Sequence, residues 1–441
     1  MRVSGLLLVE HGVYIRKAVG SKPTGSTICY TIKIRQGSQL GDGGRLKNVR
    51  YWFNSNPCHS LFMWSLLTQS YWRDEAFSVL LASRKLEEIF SLVIKFDHTP
   101  PLFYYLQHGW IGLFGDHEVA VRLLSLLFHL LISYLVYRLS ASRLATAAVF
   151  LNPFLWQYAL EARGYSAFVA LVVAGIYFYQ SKKFCLANVC WAAALWTHNF
   201  AWLYFLTFAA LNRAKKLLPA LVIGAVWLPF AWQQINSLNQ GMWLGLPTGP
   251  WWWNSLKAFT VNPLLTWLLL GLLVSALVRP TKLLLVALLP PLLAYLISRL
   301  WVPVYLERYL LPTLPLVIAA GWPIFRRLGA IFVLVSALAF IQVNQETTKP
   351  AMRQAVAMII SQIQPEEIIV TEQPINYLEM YYYLQAGGLQ ERLYSHLYPG
   401  EDEIPYYVGT GLIKPWPEIV AVPEGRPAWL VKPDGSVLKY E

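Results

Sequence analysis

Charge is the scarcest thing in this 441-residue chain: Asp, Glu, Lys and Arg make up 14 % of it, against roughly 25 % in soluble domains. Beside 56 % hydrophobic and 15 % aromatic residues, that shortage excludes an ordinary soluble fold. Cysteine is scarce too. Cys29, Cys58, Cys185 and Cys190 offer no disulfide framework, and the last two fall in an apolar run, where thiols are usually structural. No secretory leader is expected from the first residues given: GLLLVEHGVYIRK meets Glu10 before the ~7–15 apolar residues such a core needs. The net charge of +12 suggests nucleic acid only until its distribution is seen. Lysines and arginines sit in short clusters between apolar runs rather than along one stripe, which excludes a nucleic-acid partner.

What the chain does have is a series of apolar runs near the ~20 residues that cross a bilayer. They lie near 119–138, 144–160, 165–181, 184–198, 199–212, 216–235, 260–278, 282–300, 309–324 and 328–343, with a weaker one at 57–71. The class is mainly α: a polytopic helical membrane protein of about eleven spans, multi-pass in the plasma or inner membrane. Three regions follow. Residues 1–56 are polar and basic and read as a cytoplasmic, poorly ordered tail. Residues 57–343 form the transmembrane domain, with an outer loop at 71–118. Residues 344–441 form a small extracytoplasmic α/β domain: a helical stretch at 350–363, the strand-like EIIVT at 367–371, a helix near 376–385, then IVAV and AWLVK. It holds no Gly-rich phosphate loop.

The basic clusters set the orientation, because cytoplasmic connections carry the excess of Lys and Arg. Arg138 with Arg143, Lys182 with Lys183, Arg213 with Lys215 and Lys216, Arg279 with Lys282, and Arg326 with Arg327 occupy alternate connections, none containing an acid. The other connections hold Asp74, Glu75, Asp97, His98, Glu161, His198 and Glu307. This phase requires that residues 76–118 do not cross. AFSVLLASRKLEEIFSLVIK carries four charges in its middle, as an interfacial amphipathic helix does. Residues 236–258, with Trp243 and Trp251 to Trp253, read as an outer loop anchored at the headgroups.

Singly, each outer charge is most simply a solvated helix end. Adjacent residues such as Asp74 and Glu75 do not share a helix face, so that pair alone says little. The gathering of acids, histidines and arginines on one face, while the helix interiors are almost uncharged, points to an active site.

Five short motifs carry that site: WRDEAFS (72–78), DHTPPLFYY (97–105), EARGYS (161–166), THNF (197–200) and RYLLPTLP (308–315). In this order and spacing, over about residues 60–345, they resemble glycosyltransferase family 39, the dolichyl-phosphate-mannose-protein-mannosyltransferase-like enzymes and their bacterial relatives, polytopic enzymes of the glycosyltransferase C fold. The resemblance implies transfer of a hexose or pentose from a polyprenyl-phosphate sugar donor to a lipid, glycan or protein acceptor. It implies Asp74 as the catalytic carboxylate with Glu75 beside it, and Lys85, Asp97, His98, Glu161, Arg163, Tyr165, His198, Glu307, Arg308 and Tyr309 around the substrate. No cofactor is required by these residues, and a carboxylate near histidines leaves a divalent metal open. Two positions depart from the usual pattern: Arg73 stands where an apolar residue is commoner, and Asn199 where an aromatic is.

The chemistry is coherent. A lipid-linked sugar must be met at the membrane face, its acceptor hydroxyl needs a base, and the departing phosphate needs cationic support, for which Arg308, Arg163 and Lys85 are the candidates. A transporter or flippase is the rival reading, but it calls for ionisable groups near the midplane, where His129 is the main one. A third reading is a non-catalytic protein that keeps the fold.

Overall fold

The computed structural model describes residues 14–18, 27–34, 47–54, 67–238, 245–247, 249–346, 349–396, 412 and 427–440. Its contacts divide the chain into two units, residues 1–77 with 348–441, and residues 78–347.

The second unit is all helix. Ten of the expected apolar runs fall on helices, although few are individually of crossing length. Among the described residues three are long and apolar enough: Glu118–Ser140, Lys282–Leu300 and the 32-residue run Thr313–Asn344. The last contains two of the expected runs, joined through Arg326–Leu328. Two bent pairs add Lys215–Ala225 with Leu228–Asn236 at 53°, and Trp251–Thr260 with Pro263–Val278 at 118°. Tyr165–Gln180, Phe184–Leu195 and Ala201–Asn212 are shorter apolar helices. The run at 144–160 is split into Arg143–Phe150 and Pro153–Ala159, because Pro153 cannot continue the preceding helix and starts a new one at its first turn. Of the weak run at 57–71, residues 57–66 lie outside the described residues.

The apolar surface of this unit explains its solvent. Along Glu118–Ser140, Leu123, Leu127, Leu130, Leu131, Tyr134 and Tyr137 are exposed, a stripe at helical spacing. In water such a patch is an interaction liability; against lipid it is ordinary surface. The opposite face packs into a core with Phe168, Trp191, Phe205 and Trp322. Packing is close enough that a Cβ on Gly175 would stand 2.8 Å from the Trp191 ring, the small-residue contact that lets membrane helices approach. Three basic turns end on left-handed residues without glycine, Ala141, Lys182 and Arg213.

The loop at 71–118 forms three short helices, Arg73–Ala82, Leu86–Phe96 and Leu102–Phe114. The longest of them, at 13 residues, reaches about 20 Å, too little to cross. The tryptophan segment is a correction. It is not a loop at its C-terminal end but the helix Trp251–Thr260, and Trp251 stacks on Tyr295 at 4.8 Å while Trp253 meets Trp267 at 5.1 Å. Those rings serve internal packing; Trp252 is the exposed one. Trp243 lies outside the described residues.

The first unit corrects the reading of residues 1–56 as a poorly ordered cytoplasmic tail opposite an external C-terminal domain. Strands of both segments share one sheet, and so one side of the membrane. Tyr14–Ala18 (β1), Thr27–Ile34 (β2) and Lys47–Asn54 (β3) are strands. They join Ile368–Thr371 (β4), Leu393–Ser395 (β5), Ala428–Val431 (β6) and Val437–Tyr440 (β7) in one sheet of order β1-β2-β3-β7-β6-β4-β5. The signal was present, since TICYTIKI and KNVRYWFN are rich in β-branched and aromatic residues, but the surrounding basic residues masked it. β4 pairs in parallel with both β5 and β6, and β7 closes antiparallel on β6 and β3. The helix Tyr377–Gln385 makes the crossover that the parallel β4–β5 pair requires. The expected helix at 350–363 is Met352–Ile360; IVAV lies outside the described residues.

Candidate functional site

The predicted site residues fall into two clusters, one in each unit.

In the first unit, Asp74 and Glu75 open the helix Arg73–Ala82, where the exposed backbone N–H groups favour acids. Their surroundings differ. Arg73 folds onto its neighbour, its Nε and Nη2 each 2.9 Å from Asp74 Oδ1, which gives the unusual arginine a task. Glu75 is fully buried. Its Oε2 takes the Lys349 ammonium at 2.8 Å and the Trp72 backbone N–H at 3.4 Å, the reach-back of a helix-capping acid three residues in. The segment ahead of the helix is gripped by sequence-distant groups. Tyr71 N–H donates to Tyr383 Oη at 2.7 Å, Ser70 Oγ donates to Gln354 at 3.2 Å, and Lys349 N–H donates to Gln69 at 3.1 Å. Arg353 uses its backbone N–H on Ser70 and its guanidinium on the Thr68 carbonyl. Lys349, Arg353 and Tyr383 were missed because they lie some 280–310 residues on.

In the second unit, four of the five motifs converge. Asp97 closes the helix Leu86–Phe96 and accepts hydrogen bonds from Tyr104 Oη at 2.5 Å and from Thr99. Arg163 donates to Tyr104 Oη at 2.9 Å and to Ser78 Oγ at 3.0 Å, with Asp97 4.0 Å away. A chain thus runs from guanidinium to phenol to carboxylate. Thr99, Phe103, Tyr104, Arg163, Gly164, Tyr165, Thr197 and His198 line a small cavity. Gly164 lets the two motifs pack closely: a Cβ there would stand 3.1 Å from the Phe103 side chain, which would have to give by a few tenths of an ångström.

One wall is aromatic. His198 stacks on Phe168 at 4.6 Å and 14°, and meets Tyr309 at 5.2 Å and Tyr165 at 5.9 Å. Arg308 lies 5.8 Å from the Tyr165 ring and 5.6 Å from that of Tyr309, and Arg163 5.9 Å from Tyr165, within cation–π range. His198 Nδ1 accepts the Phe200 N–H at 3.2 Å, which leaves the proton of the neutral ring on Nε2. Burial first, then the charges of Arg163 and Arg308, push this imidazole down to about 3, against the pull of Asp97, so it is neutral at ordinary pH. Burial also lowers His98, opposed by Asp97.

Asn199, the second departure, ties the loops together. Its Nδ2 donates to the His98 carbonyl at 2.8 Å and to Gln234 at 3.3 Å, while its Oδ1 accepts from Trp227 Nε1 at 3.0 Å. Gln234 in turn donates to the Asp97 carbonyl at 2.9 Å. An aromatic ring could make none of these bonds. The motifs DHTPPLFYY and WRDEAFS contain Tyr104 and Ser78 without marking them as site residues; Gln234 had no signal.

The remaining predicted residues stand apart from this cluster or serve it locally. Glu161 is buried and its carbonyl accepts the Arg163 N–H at 2.8 Å, shaping the turn. Glu307 receives Ser255 Oγ at 3.4 Å. Lys85 is exposed before the helix Leu86–Phe96. Among the described residues, no three His, Cys, Asp or Glu side chains gather in a metal-holding arrangement.

No protein-family model and no curated protein matches the chain. Solved structures do, two of them of one protein. ArnT from Cupriavidus metallidurans in the apo state matches with a TM-score of 0.57, and ArnT bound to undecaprenyl phosphate with 0.54. Each is 12 % identical, and each match covers 85 % of this chain and 95 % of the other. The likeness establishes the fold. The chain has the fold of ArnT, and it is a polytopic helical membrane protein, as the apolar runs led one to expect.

Proposed function

We propose that the protein is a membrane glycosyltransferase that moves a sugar from a polyprenyl-phosphate donor to an acceptor hydroxyl, with Asp74 as its catalytic carboxylate. The observation that carries this reading is Arg163, which lines the cavity and is braced by Ser78 and Tyr104, with Arg308 near the rings of Tyr165 and Tyr309. A braced guanidinium presents donors in the fork that phosphate oxygens match, and aromatic faces suit both cations and sugar rings. That a structure of the same fold is bound to undecaprenyl phosphate supports a lipid phosphate as the anion.

In the proposed step the acceptor oxygen attacks the anomeric carbon. The bond from that carbon to the phosphate oxygen breaks, and its electron pair leaves with the lipid phosphate. Asp74 takes the acceptor's proton. The guanidiniums stabilise the charge that accumulates on the phosphate. The neutral Nε2–H of His198 can donate to an oxygen without adding charge. Lys85, Asp97, His98, Glu161, Tyr165, Glu307 and Tyr309 complete the substrate surroundings in this reading. The sugar, hexose or pentose, and the acceptor, whether lipid, glycan or protein, are for assay.

We place this chemistry on the extracytoplasmic face of the plasma or inner membrane, from the phase of the basic connections. A cysteine placed at 245 should label from outside in intact cells and one at 214 should not; the reverse would overturn the orientation. The transport reading draws less support, since His129, its main candidate, lies within 3.0 Å of the Phe150 carbonyl and against the Phe150 and Trp156 rings. Purified protein given labelled polyprenyl-phosphate sugars should release or transfer sugar. Movement of intact donor across a vesicle membrane, with no bond cleaved, would replace this reading with transport.

A further inference from the structure

Behind the aromatic wall lies a pair of buried hydroxyls that the chemistry above does not use. Tyr204 stands on the helix Ala201–Asn212, just after the THNF motif, and is fully buried. Its Oη donates to the Leu310 carbonyl at 3.1 Å and lies 2.7 Å from Thr313 Oγ1. Thr313, also buried, donates from Oγ1 to the Ala287 carbonyl at 3.0 Å. A hydroxyl carries one proton, and that of Thr313 goes to Ala287. Tyr204 is therefore the donor between the two hydroxyls, and its proton is shared between Thr313 and Leu310.

Both carbonyls that end this chain are left open by the backbone. The helix Lys282–Leu300 contains Pro290 and Pro291, and Pro291 has no N–H to offer the carbonyl four residues back, that of Ala287. Leu310 closes the tight turn Glu307–Leu310, and the N–H four residues on, that of Leu314, bonds Leu311 at 3.2 Å instead. Inside a membrane bundle an open carbonyl is costly, so the two hydroxyls are held where they stand. They pin three helices, Ala201–Asn212, Lys282–Leu300 and Thr313–Phe325, around the turn that carries Arg308 and Tyr309. Tyr204 also packs edge-on to Phe168 at 6.0 Å and 71°, and Phe168 is the ring on which His198 stacks.

We propose that Tyr204 is a positioning residue for Arg308: through the Leu310 carbonyl it fixes the turn from which that guanidinium projects, and Thr313 ties the same turn to the proline-interrupted helix. This rests on the reading of Arg308 as a phosphate ligand. Buried behind the wall, neither hydroxyl touches substrate. Each acts through the orientation of the guanidinium, whose planar fork matches a phosphate in a fixed geometry.

The test is the Kd for undecaprenyl phosphate on purified full-length protein, with thermal unfolding followed beside it. Y204F keeps the ring and removes the proton. It should weaken binding about fivefold, the factor that corresponds to one neutral hydrogen bond. In an R308K background the same substitution should change Kd no further, since the fork that it orients is gone. T313V should weaken binding as Y204F does, and T313S, which keeps the hydroxyl, should restore it; this pair carries the test where Y204F does not fold. A lowered melting temperature with wild-type Kd in folded Y204F or T313V, while R308K is weakened, overturns the positioning role alone. A loss from Y204F that persists undiminished in R308K assigns the hydroxyls to general packing and overturns it as well. Wild-type Kd in R308K instead removes Arg308 as a phosphate ligand, and this proposal with it.

Discussion

The two clusters are made of opposite materials. The first unit gathers carboxylates, Asp74 and Glu75, and answers them with Arg73 and Lys349. The second gathers guanidiniums and rings, Arg163 and Arg308 against Tyr165, His198 and Tyr309, and keeps one of its acids, Asp97, occupied with Tyr104 and Thr99. Burial of carboxylates among other carboxylates favours groups that take up protons. Cations braced by neutral donors and acceptors favour anion binding. On the proposed reading proton chemistry belongs to one cluster and phosphate recognition to the other, so substitutions in the two should fail in different parameters.

The largest effect should come from D74N, which keeps the shape of the side chain and removes its basicity. Turnover should fall by about 10² to 10⁴, read as kcat for sugar transfer. K349M tests the same unit through stability. It takes away the ammonium from fully buried Glu75, and uncompensated buried charge costs roughly 3–5 kcal/mol. The unfolding free energy should fall by that order, and by much less in the double variant with E75Q, because the charge left behind is then gone.

The second cluster should answer in donor use. R308K and R163K replace the planar fork by a point charge and should weaken donor kinetics by about 1–3 kcal/mol, read in KM at unchanged expression. R163K should be the more severe, since its two bonds to Tyr104 and Ser78 are lost as well. An anchor that only reaches the headgroups would tolerate lysine, so unchanged KM in R308K would assign that residue to anchoring.

Legibility followed locality. Apolar runs are a short-range signal, and all but the partly undescribed first of them fell on helices; the motifs are short as well, and four of the five met in one cluster. Asn199 and Arg73 looked like defects against the family pattern, yet each makes specific bonds. What the sequence concealed was long-range pairing. Nothing in KPAMRQ announces that Lys349 and Arg353 hold residues 68–75, or in NYLEMYYY that Tyr383 accepts the Tyr71 N–H. The three N-terminal strands were masked by the basic residues around them, and β3 reaches the rest of the sheet only through β7 at the far end of the chain. A smaller check of that pairing is Y383F, which leaves the buried Tyr71 N–H without its acceptor. It should lower stability by about 1–3 kcal/mol, with KM for donor untouched.

The division of labour is tested most directly by the affinity of D74N for a polyprenyl phosphate, measured on purified protein beside wild type and R163K. If the carboxylate cluster handles only the proton, D74N should bind the lipid phosphate with wild-type Kd while R163K binds it roughly 10- to 100-fold more weakly, the factor that corresponds to the loss expected for charged hydrogen bonds. Loss of binding in D74N, or wild-type binding in R163K, would contradict the assignment of chemistry to one cluster and recognition to the other.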